Sequence, residues 1–163
     1  MKYWRCLWVL GLCVLLTQNL WAVTRVSRVL TFGSSNLLKF SMSPSSLSWP
    51  SLSPDVGSYD YASVITLTVK SNNSATTWYV KAVGSGPFTS AASPSTTFPL
   101  ARLGFKLSTG STYTSMSTTA QTVLSGGIGQ STKYVDYRMT VDWDMQSATD
   151  YQETITYTCT TTP

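Results

Sequence analysis

The chain has no histidine among its 163 residues, and that absence narrows its chemistry sharply. Ser-His-Asp triads, most zinc sites and the commonest general base at neutral pH all need an imidazole. Charge is scarce too: only 11% of residues are Asp, Glu, Lys or Arg. No Lys/Arg run exists to form a phosphate-binding stripe, so no nucleic-acid partner is expected. Seven acids are few for a glycosidase, which holds two carboxylates across a cleft. Asp136, Asp142 and Asp144 share one strand phase, but that spacing sets Asp136 about 20 Å or more from the other two. Asp142 and Asp144 with loop carbonyls are a conceivable calcium site, and a solvated strand end is the simpler reading. Gly126-Gly127-Ile128-Gly129 lacks the strand-to-helix setting of a nucleotide-binding loop. No catalytic, cofactor-binding or metal-binding residue is assigned, and neither a cofactor nor an enzymatic activity is expected.

Cysteine is also sparse. Of three, Cys6 and Cys13 fall in a leader-like N-terminus. Lys2 and Arg5 are a short basic region, Leu7 to Leu16 is apolar except for Gly11, and Thr17-Gln18-Asn19 leads to Leu20-Trp21-Ala22. This is the pattern of a secretory signal peptide over residues 1–22, cut after Ala22. The apolar core is shorter than the roughly 20 residues a membrane span needs. Leu12 before Cys13 does not suit lipoprotein cleavage. A secreted or cell-surface protein without a transmembrane segment in its mature chain is expected. Losing Lys2 and Arg5 lowers the net charge from +4 to +2. Cys159 is then alone, so no internal disulfide can form. It reads as a small buried hydrophobe, with pairing between chains as the alternative.

What the chain does have is alternation. From Val135 to Trp143 every odd position is apolar and every even one polar or charged. A strand sends successive side chains to opposite faces, so this run predicts a half-buried strand. Tyr151 to Thr160 repeats the pattern, with Ile155, Tyr157 and Cys159 on one face and Thr154, Thr156 and Thr158 on the other. These two runs are expected to pair, with the last strand central. Ser63–Lys70 places Ile65, Leu67 and Val69 inward. Thr77–Val83 does the same with Trp78, Val80 and Ala82, and Ser71–Ala75 reads as a hairpin loop between them. A short strand is expected at Leu47-Ser48-Trp49. No helix-period segment stands out. Ser and Thr make up about a third of the chain after Ala22, and Thr suits a pleated solvent face. The expected fold is all-β, a single antiparallel β-sandwich of Greek-key, immunoglobulin-like type over residues 44–163. Residues 23–43 are an N-terminal arm or the first strand, with Gly33-Ser34-Ser35-Asn36 as a joint.

From Thr77 onward the order of features resembles the WxL domain of bacterial cell-surface proteins. Thr77-Trp78-Tyr79-Val80 stands at the Trp-x-aliphatic strand, Pro87-Phe88-Thr89 at the Phe-Thr loop, and Gly126-Gly127-Ile128-Gly129 at the Gly-rich turn. Asp150 to Cys159 forms the final strand, with Pro163 last. Tyr157 stands where the family has its second Trp, and Cys159 where it has Leu. Terminal strands of pilin-like secreted sandwiches are similar. The resemblance implies a surface-associated β-sandwich without an active site.

Two functions follow as expectations. One is a structural subunit of a filament, coat or surface layer, whose partners are its own copies or other surface proteins. Val26, Val29, Leu30 and Phe32 would then form a strand lent to a neighbour. The other is a module binding cell-wall polymer or glycan. Tyr79, Tyr113 and Tyr134 are its candidate ligand-facing aromatics, since Trp78 and Trp143 fall in phase with core faces.

Overall fold

The computed structural model describes residues 33–93, 95–148 and 150–163. The signal peptide and the assembly-strand residues Val26, Val29, Leu30 and Phe32 lie outside them. The chain divides into two compact units at Ser34–Ser35, and the second, Ser35–Pro163, is described here.

This unit is all-β. The long strand β2 (Ser58–Ser71) lies between β1 (Leu38–Ser43) and β9 (Gly129–Thr140). Beyond β9 come β6 (Leu103–Leu107) and β7 (Thr114–Ser115), completing an antiparallel five-stranded sheet. A second sheet orders β11 (Ile155–Thr160), β3 (Trp78–Gly84) and β8 (Gln121–Gly126). The third joins β10 (Tyr151–Gln152), β4 (Phe88–Ser90) and β5 (Thr97–Phe98), with one 3-10 turn at Leu100–Arg102. Among the described residues no helix is long and apolar enough to cross a membrane.

The alternating apolar sets of the two larger sheets meet in one sandwich-like core. Ile65, Leu67, Val69, Val135, Tyr137, Met139 and Val141 enter from the first sheet, and Trp78, Val80, Ala82 and Leu124 from the second. The predicted phase is therefore correct in the major strands, and Ile155, Tyr157 and Cys159 also lean inward while Thr154, Thr156 and Thr158 are exposed.

Several expectations about pairing are overturned. The last strand is not central: β11 is the edge of its sheet and pairs with β3, whereas β9 belongs to the other sheet. Residues Asn72 to Thr77 are not a hairpin loop, because β2 and β3 also lie in different sheets. Leu47-Ser48-Trp49 forms no strand, since Pro44 and Pro50 bracket it and deny it ladder donors. Leu38–Ser43, by contrast, lies in the segment read as an arm or the first strand and is a strand, paired with β2 from Leu38↔Ser71 to Ser43↔Thr66.

Trp143 is the largest single departure. The strand ends at Thr140, and although Val141 is still buried, a turn closed by Met145 N–H donating to Asp142 O (3.1 Å) swings Trp143 out to 76% exposure. Asp136 departs the other way. It sits on the outward face yet is only 6% exposed.

Candidate functional site

The two edge strands β1 and β11 flank a cleft of about 250 Å³. Met42 and Pro44 line it on the β1 side, Ile155 and Tyr157 on the β11 side, with Trp49 and Ile65 also contributing. Two contacts shape it. The Tyr137 hydroxyl of the first sheet hydrogen-bonds the Tyr157 hydroxyl of the second at 2.6 Å. Trp49 packs edge-on against Tyr137 (6.2 Å between ring centroids) and tilted against Tyr61 (5.5 Å). Burial holds both bonded tyrosines above the ordinary tyrosine pKa. For Tyr157 the neighbouring Tyr137 pushes further the same way, while for Tyr137 the shared hydrogen bond partly offsets the rise. Both hydroxyls are thus neutral at physiological pH. Tyr157→Phe leaves one buried hydroxyl unpartnered and is expected to cost about 1–2 kcal/mol, read as a lowered urea midpoint.

At the rim Glu153 folds back onto the turn after β3. Its Oε1 accepts Ser85 N–H (2.6 Å) and Gly86 N–H (3.0 Å). Ser85 N–H is also directed at Thr154 O (3.1 Å), tying the approach to β11 down. Among the described residues, β1 pairs only with β2 and β11 only with β3, so each has one backbone edge unmatched.

A polar cluster covers the outward face of the five-stranded sheet. Arg138 clasps Asp60 through Nε (2.6 Å) and Nη2 (2.8 Å), directly across the ladder. The Arg138 hydrogen bond, aided by its charge and opposed by slight burial, lowers the Asp60 pKa. The Tyr113 ring lies 4.3 Å from the Arg138 guanidinium carbon and 5.1 Å from Lys106 Nζ. Gly104 is opposite Arg138, and a Cβ there would stand 3.3 Å from Tyr113 Cβ, so its bareness seats the tyrosine. Next to it, Asp136 accepts Ser63 N–H (2.8 Å) and the Ser108 hydroxyl, and pairs with Lys106 Nζ at 3.2 Å. Ser63 sits at the bulge between Tyr61 and Ile65 with φ 54°, so Asp136 stabilises a strained residue. Every charge here has a partner, and the cluster functions as a clasp.

The candidate aromatics do not share one surface. Tyr113 is half-buried under Arg138 and Lys106, and Tyr134 is 50% exposed on the first sheet. Tyr79 is half-buried on the second sheet, in the phase opposite to Trp78 and Val80. Asp142 and Asp144 are brought together by Arg102, whose Nη1 bonds Asp142 and whose Nη2 bonds Asp144 at 3.3 Å. No group of three or more metal-ligating side chains converges among the described residues. Sequence reasoning missed the β1–β11 cleft, because period-2 patterning carries no signal for which strands stand at edges. It also missed exposed Trp143, although Asp142, Asp144 and Gln146 around it are poor strand formers.

No protein-family model matches the chain, and no curated protein matches it significantly.

Proposed function

We propose that the protein is an exported, non-enzymatic structural subunit of a cell-surface assembly. Its fold is read as an immunoglobulin-like Greek-key sandwich following a cleaved leader. One observation carries this reading: β11, Ile155-Thr156-Tyr157-Thr158-Cys159-Thr160, is an edge strand without a charge or a proline, beside a cleft of mixed polar and apolar lining. Monomeric proteins blunt such edges with lysine, proline or a cover. A bare edge is a template for strand addition, which gives directional association through main-chain hydrogen bonds. The occupant proposed is the arm of a neighbouring copy, with Val26, Val29, Leu30 and Phe32 providing the apolar side chains. Trp78 and Phe88, two of the residues behind the resemblance to WxL domains, are buried in the core, and Tyr157, where that family has Trp, packs against it.

The test is solution size by light scattering, with circular dichroism to check folding. The protein is expected to form oligomers. Deleting residues 24–33, or introducing Thr156→Lys together with Thr158→Lys on the exposed face of β11, is expected to give a folded monomer. An unaltered protein that stays monomeric at millimolar concentration would overturn the proposal.

A further inference from the structure

Trp143 is an anomaly that the subunit reading does not use. The residue is 76% exposed although the alternation that runs on through Val141 would have sent it inward. It is also held. Arg102, in the 3-10 turn before β6, grips the aspartates on both sides of it, and the Met145 N–H to Asp142 O bond closes the turn around it. Fastening the backbone under an exposed aromatic cuts part of the entropy lost when something binds to it. The same indole walls a cleft of about 270 Å³ with Leu52, Pro54, Met145 and Gln146.

We propose that this corner is a binding site for a neutral saccharide, with the Trp143 ring stacking on the C–H face of one sugar. The chemistry of the surroundings selects that class. A pyranose has an apolar face and a rim of hydroxyl donors, matching a planar ring flanked by acceptors. Arg102 engages Oδ2 of Asp142 and of Asp144, while Oδ1 of each has no hydrogen-bond partner among the described residues, and their side chains are 45% and 72% exposed. Gln146 adds an amide at the cleft. Arg102 is already committed to both carboxylates, which disfavours phosphate, sulfate or uronate ligands. The cleft lies just under the range of about 300–1,000 Å³ usual for ligand pockets, so it suits a single sugar unit of a chain rather than a large ligand. A protein partner would need about 800 Å² per side, and one indole with Leu52, Pro54, Met145 and Ala148 falls well short. The site is distinct from the β1–β11 cleft and stands whether or not copies associate there.

Intrinsic fluorescence and calorimetry of the purified protein with chitohexaose and with cellohexaose test the site. At least one of these neutral oligosaccharides is expected to bind and shift the emission to the blue. Trp143→Ala should weaken that binding by about tenfold or more, and Trp143→Tyr should restore most of it. Arg102→Ala should weaken it with less effect on folding than a core change, because it frees the turn rather than removing the ring. Solution size measured in parallel separates the two proposals: Trp143→Ala is expected to leave it unchanged. Absence of binding of either probe at millimolar concentration, or equal binding by Trp143→Ala, overturns the assignment. If Trp143→Ala instead reduces the oligomer, the corner is an interface between copies and the saccharide site is refuted.

Discussion

Replacing Trp78 by alanine is expected to destabilise the protein by about 3–5 kcal/mol, the range for removing a buried Trp or Phe. Total stability for a domain of this size is about 5–15 kcal/mol, so the variant should lose much of its resistance to urea. The side chain is only 2% exposed and is anchored by its Nε1–H donating to Gly127 O at 2.5 Å. Its ring is folded onto its own ladder partner, Gly126, where a Cβ would enter the indole. That geometry adds a sharper expectation. Gly126→Ala alone should cost about 1–3 kcal/mol by overpacking. In the Trp78→Ala background it should cost almost nothing, because the methyl then points into the vacated space. A double-mutant cycle in urea reads this non-additivity, and two additive effects would show that ring and glycine are not in contact.

The second large effect is expected at Asp136. Asp136→Ala should cost about 2–3 kcal/mol, because it takes the counter-ion from Lys106, leaving its ammonium only Gly110 O and the Tyr113 ring, and removes the acceptor for Ser63 N–H at the strained bulge. Burial by itself would raise the Asp136 pKa. The Ser108 hydroxyl, the Ser63 N–H and Lys106 together outweigh it and leave the pKa lowered. A carboxylate lowered in the folded state contributes stability above its unfolded pKa near 4, and that stability is lost as pH falls through the lowered folded value. The unaltered protein should therefore weaken on acidification below about pH 4, with Asp60 and Asp150 contributing in the same direction. The Asp136→Ala protein should start less stable and show a shallower acid limb in urea titrations between neutral pH and pH 2. An unchanged acid limb would mean that Asp136 is not ionised in the native state.

The inward faces were readable because burial and period 2 coincide along β2, β3 and β9. Leu67, Val80 and Val135 are each fully buried, and each lies in a run whose alternate neighbours are polar or more exposed. Pairing was not readable. Strands from opposite sheets present the same alternation to a shared core, so Tyr137 and Tyr157 look like ladder neighbours when they meet across the interior. Trp143 was misplaced because the alternation outlasts the hydrogen-bonded strand: Val141 keeps the phase, and two residues later the chain is in a turn. Asp136 was misjudged because pointing outward was equated with being wet. Lys106 and Ser108 cover it, and both come from a part of the chain whose position beside β9 no local pattern reveals.

The fastening at the start of β1 has a bearing on symmetry. Asn72 accepts Leu37 N–H (2.6 Å) and donates to Ser35 O (2.8 Å), and its own N–H reaches Leu37 O (3.2 Å). The chain therefore enters the sheet beside Leu38, whereas the cleft opens at Met42 and Pro44, about four residues or 13 Å further along the same strand. Entry point and receptor thus stand at different ends of one rod. In the proposed exchange, an arm leaving one copy and filling the cleft of the next would use unlike surfaces on the two, and the symmetry would depend on whether the second copy returns its arm to the first or passes it on. Returned reciprocally between two copies, the proposed contact would close into a swapped dimer. Passed on from copy to copy, it would add units in one direction: a ring would leave no cleft free, whereas an open fibre would be polar, with one end presenting an empty cleft.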